Sequence, residues 1–421
     1  MSAAMVLTLA AFWRASSRAA RLRTRNDLLR WQSRRLARFL SRTAPQAEAF
    51  AAFSDRPLTA FPVMDKTALM DAFHRYNIEG ITAGAAWATH DGDGRLGRYS
   101  VGASTGTSGN RGLYLVSDPE RYLWLGTMLA KALPDMLSAR YRVAVMLPRT
   151  SRLYDAANES GRLALTFFDL TQGLENQFAA VAAFKPNVLV APPHALIALA
   201  RADLPLAPRK IFSAAEVLDP GDRREIETRF GVTVREIYMA TEGLLGVACP
   251  QGTLHLCEDC VAFEWDGDGA LKSPLITDFT RRTQMMIRYR MNDLLRLSDA
   301  PCACGSPLQA VSEIAGRCDD SFRLSGRGGT TVLVTPDIIR NAVVGASRAI
   351  TDFRVAQEAP CRVVLTLPPE AASQLAPARE ALAALFAGLD AHPEIVAAAA
   401  PLPPPQGRKL RRVLRVMDVG T

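Results

Sequence analysis

A loop of small residues, Ser104 to Gly112 (Ser-Thr-Gly-Thr-Ser-Gly-Asn-Arg-Gly), could bind a polyphosphate. It follows a strand-like run. Its glycines let the backbone turn tightly and approach phosphate groups, and its hydroxyls can donate hydrogen bonds to phosphate oxygens or help to hold magnesium. A flexible Gly/Ser/Thr-rich linker has the same composition, so the loop alone leaves both interpretations open.

Further segments with chemically useful side chains follow this loop in order. Two of them, Ser213-Ala214-Ala215-Glu216 and Tyr238-Met239-Ala240-Thr241-Glu242-Gly243, each come after a strand-like run. The others are Arg288 to Leu294, which contains Asp293, then Gly316 to Asp320, which contains Arg317 and Asp319, and finally Lys409 near the end. Taken singly, each has a structural alternative. Thr241 could end a core strand, Asp293 could cap a helix, and Lys409 could belong to a solvated basic tail.

The cysteines indicate a metal site. Cys302 and Cys304 form a tight thiol pair in Cys-Ala-Cys-Gly, and Cys249 and His255 offer two more ligands earlier in the chain. Three thiolates and an imidazole suit tetrahedral Zn²⁺, and four protein ligands leave no open position, so such a zinc ion would be structural. The pair Cys257 and Cys260 competes as the upstream ligands, and buried free thiols are the alternative to any metal.

Composition narrows the function classes. A chain of 421 residues with 48% hydrophobic content can bury a large core and form two or more domains. The net charge of +8 comes mostly from arginines spread along the chain, with denser regions at 14–42 and 408–415. No basic run alternates with aromatic residues, so we expect no nucleic acid partner. An acidic, phosphate-bearing cosubstrate fits the same charge.

The N-terminal segment predicts helices and no membrane span. Residues 5–13 are apolar and precede the arginines, which is the wrong charge order for a signal peptide. Residues 21–40 suggest an amphipathic helix that packs on the domain, with a membrane surface as the alternative. No run is long enough to span a bilayer. We therefore expect a cytoplasmic protein, not transmembrane, with cysteines as thiols or metal ligands, and leave a homodimer open.

The elements that must position these residues are predicted to be α/β. Short apolar runs at 143–147, 187–191 and 210–212 alternate with helical stretches, the pattern of a parallel sheet covered by helices. Beyond Gly316, a glycine-rich turn, a strand at 361–367 and an alanine-rich helix at 371–389 indicate a small α+β domain. The predicted domains are residues 1–316 and 317–421.

Taken together, the ordered segments from about residue 61 to 412 resemble the adenylate-forming (acyl-CoA synthetase) superfamily, in particular its phenylacetate-CoA ligase-like and coenzyme F synthetase-like branch. The resemblance implies a large N-terminal adenylation domain, with helix-covered β-sheets, and a small mobile C-terminal lid domain. Two departures stand out. Asn110-Arg111 replaces a common lysine and proline in the loop, and Met291-Asn292 replaces the usual threonine and glycine before Asp293.

The resemblance also implies a role for each matching residue. The phosphate loop would comprise Ser104, Thr105, Gly106, Thr107, Ser108 and Gly109, and the adenine pocket Ala214, Ala215, Glu216 and Tyr238. Thr241 would contact the α-phosphate region and Glu242 would ligate Mg²⁺, since a carboxylate suits a hard dication. Asp293 would accept both ribose hydroxyls and Arg317 would contact the nucleotide. Asp319 would be the hinge, and Lys409 would stabilise the charge that develops as the adenylate forms.

The implied activity is that of an acid-thiol ligase. ATP would activate a carboxylic acid, expected to be aromatic, as an acyl-adenylate, and the thiol of coenzyme A or of an acyl carrier protein would then accept the acyl group. Two alternatives stay open: an adenylate-forming enzyme with a non-thiol acceptor, and a nucleotide-binding regulator without catalysis.

Overall fold

The computed structural model describes residues 2–104, 111–147, 162–267, 269–347, 349–402 and 410–416. The α-helices in these ranges are α1 (Ala3–Arg21), α2 (Arg25–Arg42), α3 (Lys66–Asp71), α4 (Ala83–Asp91), α5 (Asp118–Ala132), α6 (Phe178–Phe184), α7 (Pro193–Arg201), α8 (Pro220–Phe230), α9 (Pro336–Ala346) and α10 (Leu375–Gly388).

The strands from β1 to β11 are β1 (Arg95–Leu96), β2 (Tyr99–Ala103), β3 (Leu113–Ser117), β4 (Tyr141–Leu147), β5 (Leu163–Asp169), β6 (Val188–Ala191), β7 (Lys210–Ala214), β8 (Val234–Ala240), β9 (Gly243–Ala248), β10 (Leu254–Leu256) and β11 (Val261–Asp266). The later strands are β12 (Leu271–Asp278), β13 (Tyr289–Arg290), β14 (Asp293–Leu297), β15 (Ala310–Arg317), β16 (Phe322–Ser325), β17 (Thr331–Val334), β18 (Arg354–Ala359), β19 (Arg362–Leu367), β20 (Glu394–Ala399) and β21 (Val413–Arg415).

The chain divides into two compact units. The first comprises Met1–Asp266, Pro274–Met291 and Leu297–Ser312, and the second comprises Gly267–Ser273, Asn292–Arg296 and Glu313–Thr421. The second unit therefore takes two short segments from earlier in the chain. The functional division at residues 316 and 317 stays a prediction.

The first unit is built on a sheet with a parallel core. Strands β5, β4, β6, β7 and β8 are parallel neighbours in that order, and β9 and β10 continue the sheet antiparallel. Side chains of β4 alternate between two cores: Val143 and Val145 pack with α5, while Ala144 and Met146 pack with α7. This two-residue period buries both faces of the strand, as a parallel sheet between helix layers requires. The predicted helix-covered α/β fold is confirmed.

Helix α1 lies close against α5. A Cβ added to Gly126 would lie 2.3 Å from the carbonyl oxygen of Thr8, so only glycine permits this approach. A buried ion cluster adds to the contact, because Arg18 and Lys131 both donate to the carboxylate of Asp259, at 2.7 and 2.8 Å. The N-terminal helices are therefore part of the first unit's packed structure. Within the described ranges, no helix has the length and apolar character needed to cross a bilayer.

The second unit has a four-stranded sheet in the order β20-β19-β18-β21. Helices α9 and α10 cover it, through a core that includes Ile339, Val355, Leu365 and Phe386. A separate hairpin of β16 and β17 adds Phe322 to this core. The small α+β unit expected from the sequence is present, and α10 forms the predicted alanine-rich helix.

Candidate functional site

Several predicted site residues lie at one edge of the first unit's sheet. The strands β6, β7 and β8 are parallel neighbours, so their carboxyl ends meet there. Ala214 ends β7, and Thr241 and Glu242 form the turn from β8 to β9. In open α/β sheets this edge is where ligands bind. The sequence-predicted adenine segment and the Thr241-Glu242 segment are therefore brought together, and Tyr238 lies buried within β8.

The segment after β7 has an unusual backbone and a buried carboxylate. Ala215 has φ +72°, in the left-handed region that costs energy for a residue with a side chain. Glu216 is buried, with 5% of its side chain exposed, and its Oε2 lies 2.8 Å from Nδ1 of His194. His194 follows β6 at the same edge. Sequence reasoning missed this histidine because nothing local connects it to Glu216.

A buried arginine, Arg281, binds the backbone of the Thr241-Glu242 turn. Nη1 of Arg281 donates to the carbonyl oxygens of Thr241 and Glu242, at 3.3 and 3.1 Å. The Thr241 hydroxyl donates to Oε2 of Glu242 at 2.9 Å. Gly243 has φ +146°, and a Cβ there would lie 3.2 Å from Oδ2 of Asp278. Burial raises the pKa of the Asp278 carboxyl. Hydrogen bonds to the backbone carbonyls and between the Thr241 and Glu242 side chains therefore both hold the conformation of the turn.

The same arginine joins this turn to the β2–β3 hairpin, which carries the predicted phosphate loop. Nη2 of Arg281 donates to Oε1 of Gln284 at 3.3 Å, and the same oxygen accepts the backbone N–H of Leu115 in β3 at 3.0 Å. The Glu120 carboxylate accepts the backbone N–H of Thr283 at 2.9 Å. Burial opposes ionisation of Glu120, but hydrogen bonds from Ser117 and Thr283 outweigh it and lower its pKa.

The two ends of the predicted phosphate loop, Ser104 and Gly112, are hydrogen-bonded to each other. The backbone N–H of Ser104 donates to the carbonyl of Gly112 at 2.7 Å, and the N–H of Gly112 donates to Oγ of Ser104 at 2.8 Å. The predicted contacts Thr105, Gly106, Thr107, Ser108 and Gly109 lie outside the described residues, as does Lys409.

The remaining predicted nucleotide residues lie together in the second unit. Nε of Arg317 is 3.9 Å from Oδ1 of Asp293. The amide of Asn292 donates to Oδ2 of Asp319 at 2.6 Å, and its oxygen accepts the backbone N–H of Asp319 at 3.2 Å. The asparagine that departs from the usual glycine thus binds the predicted hinge residue. The roles of these side chains stay predictions.

The predicted zinc ligands form one cluster in the first unit. The ligand atoms of Cys249, His255, Cys302 and Cys304 all lie within 4.8 Å of one another. The sulfur atoms of Cys249 and Cys302 are 3.9 Å apart, and Sγ of Cys304 is 3.4 Å from Nε2 of His255. Nδ1 of His255 lies 3.0 Å from the carbonyl oxygen of Leu308, so Nδ1 carries the proton and Nε2 keeps its lone pair for the cluster.

The chemistry of the cluster suits a cation. Burial disfavours the thiolate of Cys302, but hydrogen bonds, the first from Thr253, outweigh it and lower the pKa of this thiol to about 6. Burial raises the pKa of the neighbouring Cys304 thiol to about 11, so Cys302 is the first of the two to ionise. The competing ligands lie elsewhere. Cys257 and Cys260 are buried, Arg18 contacts the sulfur of Cys260 at 3.3 Å, and burial raises the pKa of Cys257 to about 12. Among the described residues, the upstream pair that lies beside Cys302 and Cys304 is Cys249 and His255, and zinc binding there stays a prediction.

Comparison with known proteins identifies the fold. The phenylacetate-coenzyme A ligase of Pseudomonas putida is 27% identical over 192 residues, which are 39% of this chain and 42% of that relative. The match thus spans less than half the length of the curated relative. No family model matches the chain.

Solved structures match over a much longer stretch. A 2-hydroxyisobutyryl-CoA ligase in the postadenylation state has a TM-score of 0.67 at 18% identity, covering 93% of this chain and 89% of that one. An amide bond synthetase from Marinactinospora thermotolerans has a TM-score of 0.53 at 11% identity, covering 73% and 67%. The resemblance to adenylate-forming ligases is confirmed at the level of the fold.

Proposed function

We propose that this chain, which has the fold of the adenylate-forming CoA ligases, uses ATP to convert a carboxylic acid into an acyl-adenylate and then passes the acyl group to the thiol of coenzyme A. The observation that carries the proposal is the Thr241-Glu242 turn, fixed by Arg281 and tied through Gln284 to the phosphate-loop hairpin. One buried segment therefore links both predicted ATP-binding elements of the first unit.

The proposed reaction has two steps. A carboxylate oxygen attacks the α-phosphorus of ATP as the bond to pyrophosphate breaks. The thiol sulfur then attacks the acyl carbon, the bond to AMP breaks, and the thiol proton passes to solvent. Glu242 would hold Mg²⁺, which neutralises phosphate charge when bound. The hydrogen bond from Thr241 orients this carboxylate.

The remaining roles are carried by the second unit and the C-terminal segment. Asp293 would accept the ribose hydroxyls, Arg317 would contact the nucleotide, and Asp319 would serve as the hinge. Lys409 would stabilise the developing negative charge during adenylation. Arg317 and Asp293 lie 3.9 Å apart, which supports the proposal that both contact the same nucleotide.

We infer that the acid is aromatic and that coenzyme A is the acceptor, because the curated relative is a phenylacetate-coenzyme A ligase. A non-thiol acceptor is the second candidate, favoured by the likeness to an amide bond synthetase. An acyl carrier protein is a third acceptor, supported only by the arginines at 408–415, which suit an acidic partner. A homodimer also stays a prediction.

A pyrophosphate-exchange screen tests the proposed activity. The protein is incubated with labelled pyrophosphate, ATP and a panel of aryl and fatty acids, and we expect acid-dependent labelling of ATP. Glu242→Gln should reduce exchange at least about tenfold, since a neutral amide is a weaker ligand for a hard cation. Glu225→Gln is the control, because that carboxylate is partly exposed and pairs with Arg201 on the α7–α8 surface.

The outcomes separate the candidates. Absence of exchange with every acid would contradict adenylation and favour the regulator. Exchange followed by thioester formation with coenzyme A supports the ligase, whereas product formation only with amines supports the non-thiol acceptor. Lys409→Ala should suppress exchange while ATP binding persists, and unchanged exchange would contradict the role proposed for this lysine.

We also infer a structural Zn²⁺ at Cys249, His255, Cys302 and Cys304. Three sulfur atoms and a histidine nitrogen with a free lone pair form a donor set typical of tetrahedral zinc. A zinc ion there would join the β9–β10 hairpin to the 302–305 turn and stabilise the first unit without taking part in the reaction.

A further inference from the structure

Arg111 stands at a loop position where the resemblance leads one to expect proline, and the structure gives it three contacts. Its Nε donates to the carbonyl oxygen of Ser104 at 3.2 Å. Its Nη2 lies 3.2 Å from Nε2 of His90, and its guanidinium carbon lies 4.9 Å from the centre of the Trp87 ring. We propose that Trp87, His90 and Arg111 form a clamp that positions the phosphate loop for ATP. This inference rests on the proposed function.

The clamp is built from one face of a helix. Trp87 and His90 are three residues apart on α4, so their side chains point the same way, and their rings are 5.8 Å apart in an edge arrangement. A guanidinium group can only donate hydrogen bonds. In this contact Arg111 is therefore the donor and Nε2 of His90 the acceptor. The planar guanidinium is held between an aromatic face and two acceptors.

The clamp acts on both ends of the loop. Arg111 belongs to the end that enters β3, and its hydrogen bond reaches Ser104, which belongs to the end that leaves β2. The two ends are already joined by the hydrogen bonds between Ser104 and Gly112. A hydrogen bond with a charged donor is stronger than a neutral one. Arg111 is thus a positioning residue that fixes the separation and direction of the two loop ends.

Positive charge also gathers at this base. A Cβ added to Gly112 would lie 3.0 Å from Cε of Lys66, so the lysine side chain from α3 runs directly over the glycine. The related enzymes commonly have a lysine in this loop, and this chain has Asn110 in its place. Arg111 and Lys66 together place two cations beside a loop whose proposed ligand is a polyphosphate. Helices α3 and α4 therefore contribute to ATP binding although no sequence motif marks them.

The test compares Arg111 with a second arginine that stacks on an aromatic ring but does not touch the loop. Arg98 lies 5.1 Å from the ring centre of Tyr99 and pairs with Glu79. We would measure ATP affinity by calorimetry, and KM and kcat by pyrophosphate exchange, for Arg111→Ala, Arg111→Lys, Trp87→Leu and the control Arg98→Ala.

We expect Arg111→Ala to raise the Kd and the KM for ATP about tenfold, the change produced by about 1.4 kcal/mol, with little change in the KM for the acid. Arg111→Lys should recover little of this, because lysine lacks the planar fork. Trp87→Leu should weaken ATP binding less, and the double variant with Arg111→Ala should be no weaker than Arg111→Ala alone, since the two residues act together. Arg98→Ala should match the unaltered protein.

Two results would overturn the clamp. One is an unchanged ATP affinity in Arg111→Ala. The other is an equal loss of affinity for ATP and acid in Arg111→Ala with a matching fall in thermal stability, which would show a general structural role. The proposed function fails separately, when the unaltered protein exchanges no pyrophosphate with any acid. Even if the protein exchanges no pyrophosphate, calorimetry of ATP binding to the same variants still tests the clamp.

Discussion

Removing one ligand of the cysteine and histidine cluster should release a zinc ion and destabilise the first unit. The change is Cys304→Ser, chosen because Cys304 lies beside the lone pair of His255 at 3.4 Å. With Zn–S bonds of about 2.3 Å and Zn–N bonds of about 2.0 Å, a tetrahedral ion separates two sulfur atoms by about 3.8 Å and sulfur from nitrogen by about 3.5 Å. The corresponding distances, 3.9 and 3.4 Å, fit both values.

The magnitude follows from ligand binding to the folded state. Free zinc at about a thousand times its dissociation constant stabilises the folded protein by about 4 kcal/mol. For a large domain this corresponds to a rise in Tm of about 8 °C. Bound zinc would be counted by elemental analysis of protein purified from zinc-supplemented cells, and Tm would be measured with and without a chelator. We expect one zinc ion per chain and a chelator-dependent fall in Tm.

The control is Cys361→Ser, because Cys361 is exposed in the second unit and outside the cluster. It should retain zinc and the full Tm. The reasoning would be refuted by unaltered protein that takes up no zinc when supplied, or by full zinc content in Cys304→Ser. Loss of zinc with no change in Tm would refute the structural role while leaving the site.

Three further changes test the packing of the first unit. Arg281→Met should lower kcat for pyrophosphate exchange about tenfold or more and reduce stability by about 1 kcal/mol, because two partly buried turn carbonyls lose their donor; normal exchange would contradict the role of this arginine. Asp259→Asn should cost about 3 kcal/mol in urea unfolding at pH 7, the lower end of the range for buried pairs, since it removes the carboxylate that pairs with two partly buried cations. Burial opposes ionisation of Asp259, but Lys131 and Arg18 outweigh it and lower its pKa from 3.8 to about 2. Its contribution is therefore complete above pH 4 and is lost as the pH falls to about 2, a loss that the asparagine variant should lack. Gly126→Val should detach α1 from α5, which faster tryptic cleavage at the N-terminal arginines would detect.

The sequence predicts the architecture better than it predicts the contacts within the site. The apolar run of β4 can be read from neighbouring residues, and the order of the motifs can be read along the chain. Both predict the fold that the structure shows. Arg281 could not be assigned in this way, because its bonds to the Thr241-Glu242 turn depend on how β12 and the following segment return to β8. The sequence shows Arg111 only as a departure from the resemblance, since the end of α4 and the strands β1 and β2 separate it from Trp87.

The cysteines illustrate the same limit. Spacing alone leaves Cys257 and Cys260 as rivals of Cys249 and His255, because both pairs have a plausible separation. What separates them is the surroundings: Arg18 contacts the sulfur of Cys260, whereas Cys249 approaches Cys302 and His255 approaches Cys304. A positive side chain disfavours a metal cation beside Cys260, and no pattern in the sequence reveals that contact.

The double hydrogen bond between Asn292 and Asp319 has a kinetic consequence for the proposed hinge. The asparagine amide binds the side chain of Asp319, and its oxygen binds the backbone N–H, so rotation of the Asp319 backbone must break at least one bond. Each bond contributes about 0.5–1.5 kcal/mol, and about 1.4 kcal/mol in an activation barrier slows a step tenfold. Compared with a chain that has glycine at position 292, this chain should leave the described conformation more slowly, whereas the return step, which breaks neither bond, should keep its rate.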